Sequence, residues 1–453
     1  MAAERHAATR RPLFPALCRV SPVFRTNSAR CGVAGPEARP LDIAVGMLIG
    51  TDPTVPRLPD AAEDAITAIR NVVRSALVRP PCLTSFSGGR DSSAVLAVAV
   101  DVARREGLPL PVPATFRYPD AAGTDETEWQ ELVIAHLGLS DWLRIEVRGE
   151  LEGLGPVATH VLHHHGLLFP PNAYAHLPLL ESARGGSLLT GIGGDQLFGS
   201  SGSRVARLLA GRVRPVPRDL PRLLLAASPR GIRARVAYRR QADALLWLWP
   251  EAAAEASREF AAWEAHWPQR WDRGLDAWWR SRDFQAGARA LETLAAPVDV
   301  RVRNPFMAPG VIASFAKAGG AAGFEDRTAV MTRFFADLLP ARILARGSKA
   351  AFDETIWGPR TQEFIHAWDG TGIDSTLVDV AALRRTWASS PPDGRTLSLL
   401  HSAWLSSWRS QTPTGSGRGS AWRPREAHPA VEADRPPKPE ERRDRGTRAD
   451  RGG

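Results

Sequence analysis

The sequence predicts an α/β fold: a doubly wound, mostly parallel sheet with a helical C-terminal lobe and disordered tails. Three observations carry that expectation. Between residues 80 and 200, short apolar strands alternate with amphipathic stretches, the pattern of repeated βαβ units. The first three strand centres lie about 30 residues apart, the length that a right-handed crossover through a helix requires. Beyond residue 200 the strand signal fades into sequence rich in Leu, Ala, Arg and Trp.

Taken in order, residues 1–40 lack sustained periodicity and are crowded with Ala, Arg and Pro, so they read as a disordered tail. Residues 41–80 are a lead-in segment. Within it Ala62 to Val78 reads as a helix with Ile66, Ile69, Val72, Val73 and Leu77 on one face, stopped by Pro80 and Pro81. Residues 81–200 hold the core. Its strands are Cys82–Phe86, Ala114–Phe116, the alternating Leu143, Ile145 and Val147, and Ser187–Thr190. A Gly-rich turn at Ser87–Asp91 leads into a helix carrying Val95, Val98, Ala99 and Val102, and Glu126–Leu137 is the next helix. Residues 201–411 read as the helical lobe, whose tryptophans suit core packing better than base stacking. Residues 412–453 have almost no apolar side chains and read as a second disordered tail.

The chain has 453 residues and a formal net charge of +9. Residues 1–40 carry +5 and residues 413–453 carry +3, leaving +1 for everything between. A body so nearly neutral argues against a nucleic-acid partner, which wants a basic face on a folded domain. The tails interleave acids with their arginines and read as solvated. The sequence has no apolar run of membrane-spanning length. Pro12, Pro15 and Arg19 interrupt the N-terminus where a signal peptide would be apolar. Cys18, Cys31 and Cys82 are odd in number and far apart, which suits a reducing cytoplasm better than a disulfide framework or a thiolate zinc site. His163, His164 and His165 are adjacent on a helical stretch and point in different directions, so they read as a helix end and not as one metal site.

The sharpest local signal is Ser85-Phe86-Ser87-Gly88-Gly89-Arg90-Asp91-Ser92-Ser93, set between a strand and a helix. Two glycines let backbone N–H groups turn towards a ligand, and the helix adds its positive end. The hydroxyls of Ser87, Ser92 and Ser93 suit phosphate oxygens. A carboxylate at Asp91 would repel bare phosphate, which points to Mg²⁺ between them. The spacing is not that of a Walker A loop. A second Gly-rich turn, Gly191-Ile192-Gly193-Gly194-Asp195-Gln196-Leu197-Phe198-Gly199, leaves the fourth strand with an acid at its tip. Both turns end parallel strands, so they are expected to meet at the carboxyl edge of the sheet, with Asp91 and Asp195 sharing one Mg²⁺.

The first string resembles the SGGxDS loop of the PP-loop ATP-pyrophosphatases, which split ATP to AMP and pyrophosphate on a PP-loop, HUP-like sheet. The second resembles the G-x-G-[GS]-D-E-L-F-G segment of asparagine synthetases and their β-lactam and lasso-peptide cyclase relatives. Asp125-Glu126, the stretch Arg301 to Met307, and Leu339 to Ile343 followed by Gly347 to Phe352 extend the resemblance over about residues 60–360. The resemblance implies an amide-forming ligase that binds ATP and magnesium, adenylates a carboxylate for attack by ammonia or an amine, and would serve asparagine biosynthesis. Carried over residue by residue, the nucleotide site comprises Ser85, Phe86, Ser87, Gly88, Gly89, Asp91, Ser92, Ser93, Phe116, Gly191, Gly193 and Gly194. Asp91 and Asp195 are the metal ligands and Lys349 is the catalytic cation. Asp299 fills the place of the family's base only with a two-residue insertion before Pro305.

The departures are Gln196 for the family's Glu, Met307-Ala308 for Leu-Asp, and Ser200-Ser201 for Gly-Tyr. They loosen any link to aspartate as the carboxylate. Residue 2 is Ala, where the glutamine-using enzymes expose a cysteine, and the glutaminase domain is expected to be missing. The amine is then free ammonia, an amine on a small-molecule or peptide substrate, or ammonia from a partner subunit. Two rival readings are a PP-loop tRNA-modifying enzyme and a non-catalytic nucleotide-binding regulator.

Overall fold

The computed structural model describes residues 38–199, 204–241, 244–348 and 352–411. Helix α1 (Pro40–Val45) opens on the last residue that the reading assigned to the tail. Arg39 and Arg282 both hold the buried Asp42, which ties α1 to the distant helix that Arg282 begins. Helix α2 (Ala65–Leu77) starts where Asp64 accepts hydrogen bonds from the N–H groups of Ile66 and Thr67, each 3.1 Å. It buries Ala65, Ala68, Ile69, Val73, Ala76 and Leu77, the face that its helical spacing marks.

The core alternates as expected: β1 (Cys82–Ser85), α3 (Arg90–Glu106), β2 (Val112–Arg117), α4 (Thr127–His136), β3 (Leu143–Glu146), α5 (Pro156–His165), α6 (Leu177–Ser182), β4 (Ser187–Leu189) and α7 (Gly194–Phe198). Three helices, α8 (Arg204–Leu209), α9 (Asp219–Ala227) and α10 (Arg230–Gln241), follow. Next come α11 (Pro250–His266), α12 (Trp271–Trp279) and α13 (Arg282–Ala295). A short strand, β5 (Arg301–Arg303), then precedes α14 (Pro309–Gly319), α15 (Arg327–Phe335), α16 (Ala341–Leu344), α17 (Asp353–Ile356), α18 (Pro359–Ala367), α19 (Val380–Trp387) and α20 (Leu397–Gln411).

The five strands are parallel and ordered β3-β2-β1-β4-β5. The chain winds outward from β1 through β2 to β3, then crosses back to place β4 on the other side of β1. The gap between the β1 and β4 turns is therefore a topological switch point, where open α/β sheets bind ligands. Strand β5 corrects the expectation that the chain beyond residue 200 is helical without strands. It pairs with β4 through Ser187 opposite Arg301 and Leu189 opposite Arg303. Its Arg-Val-Arg sequence shows no apolar alternation because it is a half-buried edge strand.

One core cluster packs α2, α3, α12, α14 and α15 together, including Ile69, Val98, Leu275, Phe315 and Phe335. On the opposite face α5, α6 and α13 cover Leu83, Ile145 and Leu188 of the strands. A third cluster joins α1 and α11 to α18–α20 around the buried Trp247 and Trp387. The tryptophans are thus largely packing residues, as expected. The histidine run ends α5, where His163 stacks edge-on against Trp408 with ring centres 4.5 Å apart. No helix among the described residues is long and apolar enough to cross a membrane.

Candidate active site

The two Gly-rich turns leave adjacent strands and touch. A Cβ on Gly194 would sit 2.3 Å from Asp91 Cγ, and one on Gly191 would sit 2.8 Å from the Ser92 nitrogen. Glycine at these positions is what lets the second turn lie on the start of α3. The second turn is held from below. Thr190 donates to Asn304 Oδ1 at 2.6 Å and accepts from the Ile192 N–H at 3.2 Å. Phe198 meets the buried Phe306 edge-on at 4.7 Å.

Within the first turn Ser92 Oγ is the hub. It donates to the Gly89 carbonyl at 3.1 Å, accepts from the Ser87 N–H at 3.2 Å, and lies 3.1 Å from Ser87 Oγ. Gly88, at φ +85°, turns the chain where a side chain would strike Gln130. Gln130 in turn donates to the Ser87 carbonyl at 3.0 Å. A cavity of about 390 Å³ opens above, lined by Ser85, Ser87, Gly89, Asp91, Ser92, Gly191 and Asp195 among others.

Asp91 and Asp195 converge on one cation, the Arg327 guanidinium. Arg327 Nη1 donates to Asp195 Oδ1 at 2.6 Å, and Nη2 donates to Asp91 at 2.6 and 2.5 Å. Burial pushes the Asp91 carboxyl above its ordinary value and the Asp195 charge adds to the shift, against the pull of Arg327. Two carboxylates meeting at one positive group, beside a phosphate-type loop, are also a donor set for Mg²⁺, which takes one or two carboxylates and completes its shell with phosphate oxygens and water.

A buried ion pair closes the other side. Arg346 and Glu126 are 5 % and 8 % exposed. Arg346 Nη1 donates to Glu126 Oε2 at 2.6 Å, its Nη2 pairs with Glu126 Oε1, and Nη1 also reaches the Gly88 carbonyl at 2.9 Å. The segment after α16 is thereby strapped to the first Gly-rich turn. Ser348 and Phe352 both line the cavity; Lys349, between them in sequence, lies outside the described residues.

The remaining expected residues stand back. Phe86 turns its ring into the core, and its backbone is held by the Ala114 carbonyl and the Thr115 hydroxyl. Ser93 is wholly buried, its Oγ without a hydrogen-bond partner among the described residues, and Phe116 is half-buried with its ring centre 6.3 Å from Tyr118. Gly193, at φ +93°, meets Met307 and Phe306 from beneath. Asp299 is a correction. It precedes β5, so it lies at the amino edge of the parallel sheet, across from the cavity. Its side chain is 81 % exposed and pairs with Arg79 at 2.7 Å. A base at that place in the chain faces the wrong end of the strands. Arg327 and Arg346 were missed, and Glu126 was noted only as half of an acidic pair. In a chain with 55 arginines no single arginine stands out. The one usable sign was Arg346 lying three residues before the singled-out lysine.

The family model described as asparagine synthase matches residues 67–409, well over half of the chain. No curated protein matches it closely. That span contains both turns, all five strands and the Arg346 strap, and its members are ATP-dependent ligases. This chain belongs to the asparagine synthase family.

Proposed function

We propose that the protein forms an amide by adenylating a carboxylate at the cavity between the β1 and β4 turns. The observation that supports this most directly is the convergence of Asp91 and Asp195, carried by adjacent parallel strands, beside the Ser87–Ser92 turn. In this reading the start of α3 and the hydroxyls of Ser87 and Ser92 hold the phosphates of ATP. Asp91 and Asp195 are the residues that would hold Mg²⁺, which would neutralise charge on the departing pyrophosphate. Arg327 adds a fixed positive charge at the same point, and Lys349 is the further cation expected there. A substrate carboxylate oxygen attacks the α-phosphorus and the bond to the bridging oxygen breaks, releasing pyrophosphate. An amine nitrogen then attacks the acyl carbon, AMP leaves with the electron pair, and the nitrogen loses a proton to solvent.

The test is the identity of the nucleotide products. The chain is incubated with MgATP, ammonia and panels of amino acids and acidic peptides, and the nucleotides are separated chromatographically. AMP and pyrophosphate, lost in Asp91→Asn, are expected. ADP and phosphate as the products would overturn the assignment.

A further inference from the structure

The near-neutral body conceals a strongly basic part. Residues 204–241, forming α8, α9 and α10, carry eleven arginines against Asp219 alone, a net charge of +10. Some of that charge is committed internally. Arg204 and Arg222 pair with Asp219 at 2.6 and 3.0 Å, and Arg207 donates to the Glu325 carbonyl. Arg204 and Arg222, although so paired, line a hollow of about 390 Å³ together with Arg233 and Arg240, against the end of α11 and floored by Val205, Leu225 and Val236. Glu264 lies across it, 3.6 Å from Arg240. Arg233 sends a guanidinium to this wall with its Nε buried and without a hydrogen-bond partner among the described residues. That nitrogen is closed to the hollow, so an anionic ligand there would meet the charge of the guanidinium and not its Nε.

A second hollow, of about 250 Å³, adjoins the first, with Trp267 and Pro268 belonging to both. Trp263, Trp271 and Trp278 line it, and Gln196 borders it. Gln196 follows Asp195, so α7 presents consecutive residues to the tryptophan pocket and to the phosphate cavity. Both hollows are of ligand-cleft size. One offers guanidinium groups over an aliphatic floor and the other offers indole faces. Their combined chemistry suits a ligand that carries carboxylates and bulky apolar groups along one chain.

We propose that these two hollows bind an acidic peptide segment, with acidic side chains among Arg204, Arg222, Arg233 and Arg240 and an aromatic or aliphatic side chain among the tryptophans. Peptide binding stands on these hollows alone. The further step, in which the peptide passes Gln196 to present its carboxylate at Asp91 and Asp195, rests on the ligase reading above. A nucleic acid fits less well. It needs a run of cations along an open surface, whereas this wall is concave, floored with aliphatic groups, and partly neutralised by Asp219 and Glu264.

The test is fluorescence anisotropy on the full chain. Its probes are a fluorescein-labelled peptide of Glu, Leu and Phe, the same peptide with Lys for Glu, a labelled single-stranded RNA, and phosphatidylserine-containing vesicles. The Glu peptide is expected to bind, to weaken with salt, and to lose affinity about tenfold in Arg233→Gln/Arg240→Gln; the Lys peptide is not expected to bind. That variant is expected to keep its melting temperature and MgATP affinity, which separates loss of the site from loss of the fold. Equal binding of both peptides, undiminished binding by the variant, or tighter binding of RNA or vesicles would overturn the proposal. Asp91→Asn is expected to lose MgATP but keep the peptide. If MgATP binds neither protein, the ligase reading fails while the peptide result stands.

Discussion

Replacing Arg327 by methionine keeps the length of the side chain and removes the cation that Asp91 and Asp195 share. Contacts of 2.5–2.6 Å place the charge centres about 4 Å apart, where an effective dielectric of about 20 gives an attraction of about 4 kcal/mol per pair. The Asp91 side chain is 17 % exposed and keeps most of that; Asp195 is 51 % exposed and solvent screens its share to about 1 kcal/mol or less. Desolvation of the guanidinium offsets part of the sum, leaving a net loss of about 3 kcal/mol. With an unfolding entropy of about 2 cal/mol/K per residue, the melting temperature in EDTA should fall by about 4 °C. Two carboxylates left facing one another then form a better site for a divalent cation. Added Mg²⁺ should therefore raise the melting temperature of Arg327→Met by several degrees and that of the parent by less, read by calorimetry without nucleotide. A variant as stable as the parent in EDTA, or equal Mg²⁺ shifts for both proteins, would refute the view that Arg327 and the metal serve the same pair of carboxylates.

Gly194→Ala places a methyl group 2.3 Å from where Asp91 Cγ lies; the displaced carboxylate should lower the rate of pyrophosphate release by about 100-fold while circular dichroism stays unchanged. Glu126→Gln leaves the buried Arg346 charge unpaired and should cost about 3–5 kcal/mol in denaturant titrations, whereas Glu126→Leu with Arg346→Met should cost less than either single change. His401 is buried, with Nε2 2.9 Å from the Gly153 carbonyl, and burial pushes its imidazole down from 6.5 to about 4. The fold holds it neutral, so its contribution to stability is whole above pH 6.5 and is lost as pH falls towards 4, by about 3 kcal/mol. Melting temperatures across that window should fall less steeply in His401→Gln than in the parent.

What the sequence made legible follows from how local each cause is. The turns at Ser85–Ser93 and Gly191–Gly199 announce themselves because close backbone approach demands glycine, and an acid beside a phosphate-type loop is chemically conspicuous. That β1 and β4 are neighbours follows from the doubly wound topology, and with it the meeting of Asp91 and Asp195. Strand β5 is different. Nothing in Arg-Val-Arg specifies a strand; the exposed edge of β4 does, and that edge exists only after the first four strands have assembled. Missing it misplaced Asp299, because the residue before a parallel strand stands at the edge opposite the cavity. Arg327 belongs to the same class of cause, reaching Asp195 across 132 positions and Asp91 across 236. Its role depends on which distant segment returns to the switch point, and its residue type is the commonest charged one in the chain. The basic segment at 204–241 was hidden for another reason. The charge between the tails, +1 overall, is the sum of +10 in that segment and −9 elsewhere. An electrostatic surface screened over about 10 Å is felt by a ligand as local density, so a window on the scale of one helical hairpin is the physically relevant sum. A neutral total over a folded body therefore places no bound on whether one of its faces recruits an anion.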